Sequence, residues 1–244
     1  MGELIAILSG KGGTGKTSVC AGLATALADQ GKTVLCIDCD IGLRNLDISL
    51  GLAEVGTLSF LDVCSGGYSL DQAAKHPAYG TLSFLTAPMN CAADRVDRAE
   101  FAQMLQDARE KFDYVFLDAP AGLENGFWLA SKFADRILLV TGPDPAAIRD
   151  AGRAGEVLEL MGKDRVRLIV NRINKRIASN LDLTVDDIMD RAGLPLMGVV
   201  PEDANVVLAA VYGRPLLKVS RRGAAAACKR IAKRIQGLNV PITL

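Results

Sequence analysis

Seven short apolar runs recur along the chain, at 4–9, 33–38, 82–87, 114–119, 136–141, 166–170 and 196–200. Each is too short for a helix and lacks polar alternation, which predicts strands buried on both faces. Helical patterns separate them, at 16–30, 97–111, 123–134, 145–162 and 184–192. Strand and helix in repeated alternation predict an α/β fold, a mostly parallel twisted sheet with helices on both faces. No Ser/Pro-rich linker, repeat or low-complexity stretch interrupts the pattern, so residues 1–244 read as a single domain. No apolar run approaches the ~20 residues of a membrane-spanning helix. In such a sheet, ligands collect at the carboxyl ends of the strands. The residues just after each run are therefore the ones to inspect.

After the first run comes Gly10-Lys11-Gly12-Gly13-Thr14-Gly15-Lys16-Thr17, followed by Ser18 and a helical stretch. The pattern G-x-x-x-x-G-K-[ST] between strand and helix is a phosphate cradle. Its glycines let backbone N–H groups converge on one anion, and the helix N-terminus adds positive dipole. Lys16 is placed to reach the outer phosphates, and the Thr17 hydroxyl suits Mg²⁺, which prefers oxygen ligands. Lys11 is one lysine more than a cradle needs. At the leading edge of the loop it is expected to point away from the phosphates the loop encloses, toward a nucleotide held by a second copy of the chain. A cation supplied in trans is worth about 10³–10⁵ in hydrolysis rate.

Two later runs end in acids. "CIDCDIGLRNLD" places Asp38 and Asp40 near a strand terminus, with Asn45 and Asp47 beyond, and "FDYVFLDAPAG" ends in Asp118 before a Pro-Ala-Gly turn. Carboxylates there can hold a magnesium-bound water or orient the attacking one. Thr17, Asp38, Asp40 and Asp118 are thus the magnesium-side candidates.

"KGGTGKTS" resembles the deviant phosphate loop of the MinD/ParA class of ATPases, whose signature lysine corresponds to Lys11. The resemblance implies a phosphate-loop nucleotidase fold, ATP and Mg²⁺ as cofactors, and slow ATP hydrolysis. It also implies a homodimer that sandwiches two ATP molecules, with Lys11 and Lys16 serving the partner's and the chain's own nucleotide and Asp40 placing the attacking water. Asn171 and Arg172 in "IVNRI", after the sixth run, and Pro201, Glu202 and Asp203 in "VVPED", after the seventh, match the places where this class holds adenine; the N-K-x-D of GTP-binding proteins is absent. "DIGLRNLDISLGL", "DAPAGLENG", "AAIRDAGR" and "GVVPED" extend the likeness over nearly the whole chain, toward the division-site-placing MinD family. That implies a MinC-like inhibitor and a MinE-type topological factor as partners, with Asn45, Arg149 and Asp150 near the dimer face. Members of the family reach the membrane through a basic amphipathic segment beyond the last helix. The sequence here stops at "GLNVPITL", about where that segment would begin.

Charge is unevenly placed. Residues 204–244 contain eight Lys and Arg and no acid, while the chain as a whole is neutral. Such an end suits an anionic surface, or simply forms a solvated helix face. "ACKRIAKRIQGL" puts Cys228, Ile231 and Ile235 on one face, and packing of that face against the sheet is the expectation. Nothing at the start reads as a secretory signal, which predicts a cytoplasmic protein, peripheral on the membrane where the family segment exists. Two rival readings remain: a ParA-like or flagellar-number-type ATPase acting on other cargo or on DNA, and an iron–sulfur carrier using Cys91. Nucleic acid is favoured by the basic end alone and is not expected as a partner. The Cys36-x-x-Cys39 pair lies along a strand and reads as buried rather than metal-binding. His76, the only histidine, falls in "AAKHPAYG", which reads as a loop.

Overall fold

The β-branched and leucine-rich runs form one eight-stranded sheet in the order β3-β4-β2-β5-β1-β6-β7-β8 in the computed structural model, which describes residues 1–41, 43–89, 96–174 and 184–243. The strands are β1 (Glu3–Leu8), β2 (Val34–Asp38), β3 (Ala74–His76), β4 (Tyr79–Leu85), β5 (Tyr114–Asp118), β6 (Arg136–Thr141), β7 (Val166–Ile173) and β8 (Leu196–Pro201). All neighbours are parallel except the edge pair β3 and β4. Alternate residues of β1 serve opposite faces. Leu4, Ala6 and Leu8 join one buried cluster, Ile5 and Ile7 the other. Burying one such Ile or Leu is worth about 1.5–3 kcal/mol, so a strand of this composition is stable only between two helical layers.

The helices are α1 (Lys16–Ala28), α2 (Leu46–Leu50), α3 (Phe60–Cys64), α4 (Arg98–Lys111), α5 (Asn125–Phe133), α6 (Pro145–Leu160), α7 (Val185–Ala192), α8 (Ala204–Val211), α9 (Leu216–Val219) and α10 (Gly223–Ile235). Capping fixes several of their starts. Asp97 accepts from Ala99 and Glu100 N–H at the head of α4, and Asp144 accepts from Ala147 N–H at the head of α6, with Pro145 in the first turn. Helix α1 is apolar nearly all round because it lies between the sheet and α10. Helix α10 buries Ala224, Ala225, Cys228, Ile231 and Ile235 against α1 and β8, as its amphipathic pattern predicts.

Two expectations are corrected. "AAKHPAYG" is not a loop: Ala74–His76 is an antiparallel edge strand paired with β4. His76 is buried, its Nε2 lies 2.8 Å from Leu50 O at the end of α2, and its Nδ1 accepts from Ala78 N–H at 3.0 Å. Asn171 and Arg172 do not follow their strand but lie within β7, where the pairing with β8 shifts register between Val170 and Ile173. Cys91 lies outside the described residues.

Candidate active site

Three neighbouring strands, β2, β5 and β1, deliver the chemistry side by side. Asp38 and Asp118 stand in register across β2 and β5, and Asp118 pairs with Ile7 of β1. The phosphate loop leaves β1 directly beside them. Its Gly13 and Gly15 hold φ of +81° and +85°. At Gly15 a Cβ would also sit 2.3 Å from Asn171 Nδ2, so glycine is required there by backbone angle and by space. Gly15 caps α1 without a side chain, leaving the first N–H groups of the helix for a ligand. Ser9 Oγ and Thr14 Oγ1 are buried here with no hydrogen-bond partner among the described residues, the condition a polar ligand relieves.

Lys16 is buried, and its Nζ lies 3.0 Å from Asp118 Oδ1 and 3.4 Å from Thr17 Oγ1. Burial pushes the Asp118 carboxyl above its ordinary range, and Lys16 pulls it back. Removing one member of such a pair costs about 3–5 kcal/mol, because the other is left buried and alone. Asp38 is also buried. One oxygen accepts from Asp40 N–H at 2.9 Å, the other from Leu46 N–H at 3.2 Å. Burial, reinforced by Asp118, pushes Asp38 up to about 7. With both oxygens so engaged, Asp38 pins the loop that carries Asp40. Asp40 itself is half-buried, and nothing among the described residues donates to its carboxylate. Asn45 is exposed at the head of α2 in the same loop.

Lys11 is about half exposed and meets a partner within its own chain that the sequence did not reveal. Its Nζ lies 3.4 Å from Asp144 Oδ1, both side chains about half exposed. A pair this open is worth about 0–1 kcal/mol, so release is easy. Asp144 titrates below its usual range, first because Ala147 N–H donates to it and secondarily because of Lys11. Helix α6 touches the loop directly, since a Cβ on Gly10 would lie 2.3 Å from Asp150 O. On the same helix Arg149 is exposed and Asp150 half-buried.

A cleft of about 400 Å³ opens beside the loop, lined by Gly15, Ser18, Asn171, Arg172, Pro201, Glu202 and Asp203 among others. The register shift in β7 falls at its wall, where Asn171 and Arg172 lie. Arg172 holds φ +59°, rare for a side-chain-bearing residue, and turns the strand end toward the loop. Asn171 Nδ2 donates to Thr14 O at 2.8 Å, which leaves Oδ1 as a hydrogen-bond acceptor. The two acids are engaged with protein. Glu202 Oε2 accepts from Asn174 Nδ2, and Asp203 accepts from Asn205 N and Nδ2 and from Ala224 N.

Among the described residues no group of three or more His, Cys, Asp or Glu could hold a metal alone. The donor set fits a magnesium ion that arrives with phosphate oxygens and completes its shell with the Thr17 hydroxyl and water. Cys36 and Cys39 are buried in the two different apolar clusters, and burial raises the Cys39 thiol well above its usual value.

Residues 5–216 match the CobQ/CobB/MinD/ParA nucleotide-binding domain. The chain is 39% identical over 247 residues to the septum site-determining protein MinD of Bacillus subtilis, covering 99% of this chain and 92% of that protein. The fold is similar to the MinC:MinD cell division protein complex of Aquifex aeolicus, at a TM-score of 0.91 and 35% identity over 99% of this chain and 98% of that one. It is also similar to the Mg-ADP complex of MinD from Pyrococcus horikoshii, at a TM-score of 0.83 and 28% identity over 96% of both chains.

Proposed function

Because the chain belongs to the CobQ/CobB/MinD/ParA nucleotide-binding family, as one of its septum site-determining MinD members, we infer that it is a dimerising ATP switch in division-site placement. It is a magnesium-dependent ATPase that hydrolyses ATP to ADP and phosphate. The observation that supports the dimer is that Lys11 is half exposed and held only by a weak pair with Asp144, free to serve a nucleotide outside its own chain.

Gly10, Gly12, Gly13, Thr14, Gly15, Lys16, Thr17 and Ser18 hold the triphosphate through backbone N–H groups, the Lys16 ammonium and hydroxyls. Asn171 Oδ1 accepts from the 6-amino group of adenine, a donor that guanine lacks, and the strand end at Pro201 flanks the base. Thr17 and, through water, Asp118 would hold a magnesium ion, which would supply positive charge against the phosphates. Lys16 leaves Asp118 in whole or part for the phosphates. Asp40 accepts a hydrogen bond from the attacking water, and Asp38 holds Asp40 in place through the N–H groups of Asp40 and Leu46. Water oxygen then bonds to the γ-phosphorus as the bond to the β–γ bridging oxygen breaks. Lys11, released from Asp144, offsets charge at the nucleotide of the other subunit.

Arg149, Asp150 and Asn45 border this dimer face, which supports a MinC-like partner and a MinE-type factor there. Reversible membrane association follows the family pattern. No described helix is long and apolar enough to cross a membrane. Light scattering with ATP or ADP, on wild type and Lys11→Ala, tests the switch. A dimer is expected only for wild type with ATP. Equal mass in both nucleotides, or an ATP dimer unaffected by the substitution, contradicts it.

A further inference from the structure

Asp203 is half-buried at the rim of the cleft, and both of its carboxylate oxygens already accept hydrogen bonds from the protein. Oδ1 accepts from Asn205 N at 2.9 Å and Asn205 Nδ2 at 2.8 Å, capping α8. Oδ2 accepts from Ala224 N at 2.9 Å, in the first turn of α10. Helix α10 has no cap of its own, because the side chain of Arg222 makes no capping bond and the first turn lacks an acid. Asp203, from 21 residues earlier, supplies it. The approach is so close that a Cβ on Gly223 would fall 2.3 Å from Asp203 Oδ2, and Gly223 holds φ +56°. Val206 and Val207 of α8, and Ala224 and Cys228 of α10, are walls of the same cleft. One carboxylate therefore joins the two helices that face Asn171 and Arg172 across it, with negative charge at both helix N-termini.

We propose that Asp203 is a positioning residue for the purine base: by capping α8 and α10 together it sets the width of the base cleft, without touching the nucleotide. This rests on the reading of the cleft as the base pocket. Two variants break the link from opposite sides. Asp203→Asn keeps the cap on α8 but turns an amide N–H toward Ala224 N–H, and Gly223→Ala drives a methyl into Oδ2. Binding of Mg-ATP is compared with binding of inorganic tripolyphosphate, which has no base.

Both variants are expected to weaken ATP about tenfold or more, with tripolyphosphate within about twofold of wild type. In unmodified protein, hydrogen exchange at the Ala224 amide slows about tenfold with ATP and not with tripolyphosphate. Unchanged ATP affinity, equal weakening of both ligands, or an Ala224 amide indifferent to ATP overturns the proposal. Wild type that shows no preference for ATP over tripolyphosphate overturns the base-pocket reading and the proposal with it.

Discussion

An alanine at position 15 would meet Asn171 Nδ2 at 2.3 Å on a backbone held at φ +85°. The neighbour is a short amide already bonded to Thr14 O, so it has little room to retreat. Gly15→Ala is therefore expected to lower stability by about 1–3 kcal/mol and to weaken ATP by more than tenfold, roughly, as the loop and the base cleft part. Urea unfolding with and without ATP reads both effects. Residues whose role follows from immediate neighbours were legible in the sequence: Gly15, Lys16 and Thr17 sit in one motif, and Asp118 closes a strand. Roles that depend on distant partners were not. Nothing in "VVPED" signals that Asp203 caps a helix beginning at Gly223, and nothing in the loop signals that Asp144 receives Lys11. The resemblance assigns the attacking water to Asp40 with Asp38 beside it, but that Asp38 is buried and accepts two N–H bonds while Asp40 is half-buried appears only in the structure.

Among the elements, the edge hairpin β3–β4 depends most on one side chain. His76 accepts from Ala78 N–H at Nδ1 and lies 2.8 Å from Leu50 O at Nε2, an arrangement that requires the neutral ring protonated at Nε2. Tyr79 packs edge-on against it and Lys218 of α9 adds a positive charge nearby. Burial, foremost, holds the His76 pKa below the ordinary histidine value. The unfolded chain then binds a proton more readily than the native one. Its contribution is fully present above about pH 6.5 and declines as pH falls from there through the native pKa, by up to about 1.4 kcal/mol per pH unit. Denaturation midpoints at pH 7.5 and 5.5, roughly bracketing that range, are expected to separate for wild type and to draw together in His76→Asn. This strand escaped the sequence reading because three residues interrupted by Lys75 and ended by Pro77 carry no apolar run. The register shift in β7 escaped for a related reason: pairing with β8 decides where a strand bulges, and composition does not. The parallel strands and their helices were legible because burial on both faces writes itself into local composition.

At the scale of the whole molecule, two apolar clusters lie on opposite faces of one continuous sheet. Neither can lose its helices without exposing the other side of the same strands. Heat or denaturant is expected to give one cooperative transition, raised by about 2.7 kcal/mol when Mg-ATP is present at about 100 times its dissociation constant. Two separate transitions in calorimetry would contradict a single domain over 1–244. The basic end is less open than its composition suggests. Lys229 pairs with Asp29, Lys218 lies over the Tyr79 ring, and Arg230 and Arg234 donate to the carbonyls of Thr243 and Val240.

The strand order carries a final consequence. Since β5 is bonded on one side to β2 and on the other to β1, the roots of both acids and of the phosphate cradle form a stiff anvil. Hydrolysis cannot slide these strands past one another without shearing two ladders at once. Motion that announces the loss of a phosphate is thereby confined to the few residues that overhang the sheet, which lets a small chemical event be felt at the surface while the body stays still.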